Sequence, residues 1–442
     1  PEYLFLCAKN FSYQKKYGPA RDFYLKALNI GKQPESNDIL LSHIGDTYKH
    51  QSREDDAIKF YEAAIDQYPE SEGASIAKLR LAEYSSGVSE IQKVHEQNVN
   101  HPIGDLALLE MANKYIAQGQ YPAAMEQLKT LMNKPTRSNI SQEAKRLFYR
   151  SAEMEIKRYY ESGAYPEVIQ FYRNPAAGLK DAIHPEVQLM VAESYQKAGQ
   201  YQDAIALYSR INMVDLKKKL RGNYILHFAE SYVMSGADDK AIGLLGKKNI
   251  QAMGAENQQR SAMMLGSIFK KRGELAKAYR LFRSVVEAKK RLPDLDIARA
   301  YLEMGEISNR EKRYSDAKEM LNRSITLAGK EKRGRECLRQ ALVSLGNTYY
   351  FEKQHKQAIE QYEKGFELGY GPNEAGFWEK RFRLAQCYLE LEENSKAQQI
   401  FNQISEEGDP VLQQRVQIKM GVMNLENQLK RLPIWQEMRE GS

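Results

Sequence analysis

Hydrophobic positions in this chain recur every three or four residues between short polar turns, and residues 188–208 show the unit most plainly. Leu189, Val191, Ala192 and Tyr195 supply the apolar positions of one helix, Gly199 marks a turn, and Tyr201, Ala204 and Tyr208 belong to a second helix. That spacing predicts two helices folded back on each other. One hairpin cannot bury its own stripe and needs neighbours.

The neighbours are present. A small residue recurs at Ala8, Gly45, Ala82, Ala112, Ala192, Ala229, Gly266, Gly305, Gly346, Ala385 and Gly421, with Ile156 the one departing slot. The steps run from 36 to 41 residues, apart from one of 30 and one of 44, which marks a repeat protein. We number the small residue as position 8. Position 11 is aromatic at Phe11, Tyr48, Tyr115, Tyr159, Tyr195, Tyr232, Phe269, Tyr349 and Tyr388, expected to fill the gap beside the small residue. Position 20 is Ala20, Ala57, Ala124, Ala204, Ala241, Ala278, Ala317, Ala358 and Ala397, where the second helix crosses the first. Position 24 is large and apolar: Tyr24, Tyr61, Leu128, Tyr208, Leu245, Phe282, Leu321, Tyr362 and Phe401.

These residues resemble the tetratricopeptide repeat, most closely at Ile44-Gly45-x-x-Tyr48, Ala57-x-x-x-Tyr61 and Pro69, and at Leu345-Gly346-x-x-Tyr349 and Ala358-x-x-x-Tyr362. The resemblance implies an all-α fold: a right-handed α-solenoid of about eleven to twelve helical hairpins with a concave face lined by the first helices. The family's Trp slot is never Trp here, and the steps exceed its usual ~34 residues, which implies longer helices or turns.

Four segments are expected: N-terminal repeats at 1–84, irregular short and long repeats at 85–165, a regular array at 166–410, and a capping helix region at 411–442. In the irregular part Ser85-Ser86-Gly87 predicts a turn, residues 88–97 a brief helix, Lys134-Pro135 a stop, and residues 141–161 an extended helix. Near the end Pro433 stands where the crossing Ala belongs, and Gln413, Gln414, Gln417 and Lys419 suit the polar outer face of a cap.

Composition narrows the function. Hydrophobic residues at 42% and charged at 28% describe an ordered chain, and no run approaches the ~18 apolar residues of a membrane span. The chain opens at Pro1 with neither Met nor a cationic, apolar leader, as expected of a piece trimmed from a longer protein. A net charge of +7 over this length is too dilute for a nucleic-acid stripe. Cys7, Cys337 and Cys387 show no paired spacing and are read as structural thiols. Zinc, dinucleotide, phosphate-loop and serine-elbow motifs are absent, so no catalytic residue, metal or cofactor is assigned and an enzyme is not expected. His95 and His101 are read as solvated loop residues.

Two surfaces are candidates for binding. Position 5 gives an apolar ladder at Leu109, Leu189, Leu226, Met263, Leu302, Val343 and Phe382, with core packing as its alternative reading. Position 9, on the same face, gives Asn113, Glu193, Glu230, Glu306, Asn347 and Gln386. Glu193, Glu230 and Glu306 would make this groove locally negative and favour a cationic or amide-rich segment. The clamp by which some tetratricopeptide domains hold a terminal carboxylate is not expected, because Leu109 and Val343 stand where the family uses Lys. A basic edge is the second candidate: Lys217, Lys218, Lys219 and Arg221; Lys270, Lys271 and Arg272; Lys289-Lys290-Arg291; and Lys332, Arg333 and Arg335. It would meet an anionic polymer, lipid headgroups or an acidic partner, unless these cations merely answer helix dipoles.

The function expected is therefore a non-enzymatic scaffold holding a protein or peptide segment in its groove, with self-association as a further expectation. The joint Tyr68-Pro69-Glu70-Ser71 followed by Ala77, Leu79, Leu81 and Ala82 resembles bacterial envelope repeat proteins. It favours a periplasmic or envelope-associated assembly, with the cytoplasm second. The alternative is the repeat region of a larger polysaccharide secretion or modification machine.

Overall fold

The computed structural model describes residues 2–30, 37–84, 87–133, 138–174, 178–179, 182–251, 253–288 and 292–429. Among them every regular element is an α-helix or a short 3₁₀ turn. The chain forms two compact units, residues 1–215 and 216–442.

In the first unit α1 (Glu2–Tyr13) pairs with α2 (Tyr17–Ile30), α3 (Asn37–Lys49) with α4 (Glu54–Gln67), and α5 (Glu72–Ala82) with α6 (Ser89–Gln97). Then α7 (Pro102–Ala117) pairs with α8 (Tyr121–Met132), α9 (Ser138–Glu161) with α10 (Tyr165–Arg173), and α11 (Pro185–Lys197) with α12 (Tyr201–Tyr208). The second unit opens with α13 (Lys218–Met234), the short α14 (Asp238–Leu244) and α15 (Lys247–Gln251). It continues with α16 (Ala255–Lys271) and α17 (Leu275–Val286), α18 (Asp294–Arg310) and α19 (Tyr314–Ala328), and α20 (Arg335–Phe351) and α21 (His355–Glu367). Last come α22 (Phe377–Glu390) with α23 (Asn394–Glu407), and α24 (Pro410–Leu429). Within each unit consecutive hairpins stack, which is the all-α solenoid arrangement expected. The boundary between units falls inside the stretch 166–410. The brief and extended helices of the irregular stretch are α6 and the 24-residue α9. Residues 85–86, 134–135, 289–291 and 433 lie outside the described residues.

The repeat register explains the packing. All nine position-20 alanines are fully buried, and so are the large side chains at position 24. A Cβ added to Gly45, Gly266, Gly305 or Gly346 would stand 2.5 to 2.8 Å from Tyr61, Phe282, Leu321 or Tyr362, so the position-24 side chain sits directly on the small residue. This corrects the role expected of position 11, whose aromatic lies to one side. Tyr48 stacks on Phe60 with ring centroids 5.4 Å apart, and Lys277, Lys318 and Lys396 lie over Phe269, Tyr349 and Tyr388.

Position 15 turns the chain, and its backbone is left-handed in ten hairpins. Glycine supplies it at Gly119, Gly163, Gly199, Gly236 and Gly273, while Lys15, Ser52, Lys312, Lys353 and Glu392 adopt the same conformation without being glycine.

Two end features differ from expectation. Among the described residues nothing lies within 4 Å of a Cβ added to Gly421, which is therefore not packed like the other small slots. Gln414 and Gln417 are exposed on α24 as expected, but an apolar row at Val411, Ile418, Val422, Leu425 and Leu429 is exposed beside them. The thiols divide as well. Burial pushes Cys337 up and Cys387 up to about 12, as inert core thiols, whereas Cys7 is half-buried.

Candidate functional site

A repeated polar contact ties consecutive first helices together. The residue at position 12 of one reaches position 9 of the next: Lys49 to Glu83, Tyr160 to Glu193, Lys270 to Glu306, and Tyr350 to Gln386. The Lys270 ammonium lies 2.5 Å from Glu306 and 2.6 Å from Glu303. Burial by itself would lower the Lys270 pKa, but the two carboxylates raise it, and Lys270 in turn holds Glu306 below the usual carboxylate range against its own burial.

Asp46 and Asn347, also at position 9, share a different arrangement. Each accepts from the position-24 hydroxyl of its own hairpin, Tyr61 at 2.8 Å and Tyr362 at 2.7 Å. Each also accepts from an arginine of the next first helix, Arg80 at 2.9 Å and Arg383 at 2.8 Å. Burial would raise the Asp46 pKa, yet the bond from His43, the Arg80 charge and the Tyr61 hydroxyl bring it down to about 2. The polar row read from the sequence as facing a partner is thus largely engaged in joining the layers. Lining position 12 up against position 9 would have revealed this, because donors there stand opposite acceptors.

The apolar row needs a similar correction. Leu189, Leu226, Leu302, Val343 and Phe382 are buried, and Val343 is pressed so closely against α21 that a Cβ on Gly365 would meet it at 2.4 Å. These five pack between helices, the alternative reading of that row. Leu109 and Met263 are half-buried, and Asn113 is exposed.

Three of the groove candidates do come together. Leu226, Glu230 and Met263 line a groove of about 750 Å³ in the second unit, along α13, α16 and α18. Met253, Met264 and Leu292 extend its apolar wall, and Lys218, Lys219, Arg260 and Arg299 supply cations. The second hairpin helix is short beside it. Gly243 lies in the last turn of α14 and Gly246 just beyond its end, and glycine is a poor helix former. The chain therefore leaves α14 early and forms part of the groove wall at Met253 and Gly254.

The charges of this groove are not those expected. Arg260 bonds Glu256 at 2.9 Å and Arg299 lies 3.5 Å from Asp296. Lys218 and Lys219, exposed in the first turn of α13, have no ion-pair partner among the described residues. The N-termini of α13, α16 and α18 point their positive dipole ends to the same side. With Glu256 and Asp296 bonded to Arg260 and Arg299, Lys218 and Lys219 make one end of the groove cationic.

The basic clusters do not form a single edge. Successive first helices run parallel, so Lys217, Lys218, Lys219 and Arg221 at the start of α13 share an end with Lys332, Arg333 and Arg335 at the start of α20. Lys270, Lys271 and Arg272 close α16, some 17 residues and about 26 Å away along the helix. The last three are also paired: Lys270 as above, Lys271 with Asp238 at 3.5 Å, and Arg272 with Asp239 at 2.9 Å. Arg221 and Arg335 donate to the carbonyls of Leu216 at 3.1 Å and Leu368 at 3.2 Å.

The histidines have local duties. His101, like His184, accepts a backbone N–H at a helix start just before a proline. His95 Nδ1 lies 2.9 Å from the Gly104 carbonyl and joins α6 to α7, so neither His95 nor His101 is a solvated loop residue. No cluster fit for a metal exists among the described residues, and no described helix is long and apolar enough to cross a membrane. In the joint at residues 68–82, Ser71 caps α5 by accepting from the Ala74 N–H at 3.1 Å. That task is set by the helix and names no compartment.

Family models described as tetratricopeptide repeat match residues 296–369 in the second unit and residues 41–71 and 186–212 in the first. The chain carries tetratricopeptide repeats in both units. No curated protein matches it. Among solved structures it is similar to Pseudomonas aeruginosa PilF, at 14% identity over 53% of this chain and 97% of that one, with a TM-score of 0.44. It is also similar to the Cut9–Hcn1 hetero-tetramer of the APC/C, at 14% identity over 93% and 82%, TM-score 0.44. A third is yeast Tom70, at 13% identity over 100% and 99%, TM-score 0.30. At such identities and scores these likenesses transfer no partner to this chain.

Proposed function

We propose that this protein is an interaction scaffold whose groove along α13, α16 and α18 receives a segment of a partner protein. Tetratricopeptide repeats imply protein partners, and the observation that carries the site is an apolar, methionine-rich wall beside two exposed lysines that have no ion-pair partner among the described residues. Met253, Met263 and Met264 adapt to differing apolar side chains, since the unbranched thioether has low rotational barriers. Lys218 and Lys219 then select a carboxylate placed beside those side chains. The segment favoured is therefore apolar with acidic neighbours, the reverse of the cationic partner expected from the position-9 glutamates.

Selection from a randomised peptide display library on the whole chain tests this. Enrichment of apolar residues flanked by Asp or Glu is expected, with binding weakened about tenfold by Lys218→Glu with Lys219→Glu and lost with Met263→Glu. Enriched peptides that are basic, or that bind all variants equally, would reject the reading.

A further inference from the structure

The apolar outer face of α24 leads to a separate conclusion. Val411, Ile418, Val422, Leu425 and Leu429 are exposed at 68, 64, 44, 57 and 41%, while Leu412 and Val416 on the opposite side are buried against the preceding hairpin. Together with Arg415 the exposed positions are spaced by four and three in alternation, the seam of two helices lying side by side. At the equivalent slot Gly45, Gly266, Gly305 and Gly346 are covered by a second-helix side chain, whereas among the described residues nothing lies within 4 Å of a Cβ added to Gly421.

The chain's own continuation is a poor cover. In nine other hairpins the residues twelve and sixteen after the small one are a buried Ala and a buried large apolar side chain. After Gly421 those positions are Pro433 and Glu437. A proline cannot donate to the helix, and a glutamate would be buried without a partner.

We infer that α24 pairs with α24 of a second copy, antiparallel and in full overlap. The seam maps onto itself about Met420, as an isologous interface requires. Val411 then meets Leu429, Ile418 meets Val422, and Arg415 meets Leu425, at both ends of the seam. The Arg415 guanidinium stays on Glu379, 2.8 Å away, so its stem covers Leu425 without leaving a bare charge. Lys419 comes opposite Gly421, whose missing side chain leaves room, and no like charges face each other.

A single-helix seam is at the small end of stable interfaces, so dissociation in roughly the micromolar range is expected. Sedimentation velocity of the whole chain from about 1 to about 100 μM should show the mass doubling with concentration. Ile418→Glu with Leu425→Glu should remain monomeric with an unchanged circular dichroism spectrum. Ile418→Lys and Val422→Glu, each monomeric alone, should associate when mixed, because the new charges meet across the antiparallel seam. A wild-type chain monomeric throughout the range overturns the inference, as does a dimer indifferent to Ile418→Glu with Leu425→Glu. Failure of the mixed pair to associate overturns the antiparallel register.

Discussion

Lys270 and Glu306 form an ion pair 2.5 Å long between consecutive first helices, although each came from a different candidate surface. A lysine read as part of a basic edge and a glutamate read as part of an acidic groove neutralise each other across α16 and α18. Replacing Lys270 by Met should leave Glu303 and Glu306 facing each other uncompensated. The expected loss is about 1–3 kcal/mol, at the lower end because Glu306 keeps contact with water. Adding Glu306→Gln should recover part of it, a coupling that a double-mutant cycle in urea would measure. An additive cycle would exclude the pairing.

Gly346 tests the small slot. An alanine there gains up to about 1 kcal/mol of helix propensity. Its Cβ, however, meets the Tyr362 ring at 2.8 Å, and overpacking of this kind costs about 1–3 kcal/mol. Gly346→Ala should therefore lower the thermal midpoint, and Tyr362→Leu added to it should restore some of the loss. A raised midpoint for the single variant would show that Tyr362 yields freely.

The left-handed turn gives substitutions of opposite sign. Lys353 adopts a φ of 61°, and Gly199 occupies the same turn position at 74°. Lys353→Gly should stabilise by up to about 1 kcal/mol, the relief of left-handed strain less the added flexibility of the unfolded chain. Gly199→Ala should destabilise by about 1–2 kcal/mol. Equal signs for the two in chemical denaturation would contradict a shared turn conformation.

Asp46 sets an acid limit. Its pKa is lowered from 3.8 to about 2, so the folded state gains stability from its ionised form above pH 4 and loses it as the pH falls towards 2. The full effect is about 2 kcal/mol. Asp46→Asn should be less stable at pH 6 and should show a shallower decline between pH 4 and 2. Parallel curves for both proteins would remove Asp46 from the acid transition.

The hairpins were legible because each repeat resolves its packing locally. A small residue at Gly346, an Ala at Ala358 and a Tyr at Tyr362 need only one another and a helical period to predict their contact. The exposed seam of α24 was hidden for the same reason: Gly421 and its neighbours keep the pattern of a first helix while the second helix that should cover it is missing from the pattern.

The sequence by itself determined the helical hairpins, their register and the burial of positions 20 and 24, since these follow from spacing within about forty residues. Only the tertiary structure decided which polar residues remain available. Glu193 and Glu306 look free when read along the chain, and their engagement depends on how far one first helix slides past the next. That offset brings position 12 to position 9. It binds Lys270 to Glu306 and leaves Lys218 and Lys219 lining a groove with a methionine wall, because ion pairing depends on distances of a few ångströms between segments that the repeat pattern places only to the nearest layer.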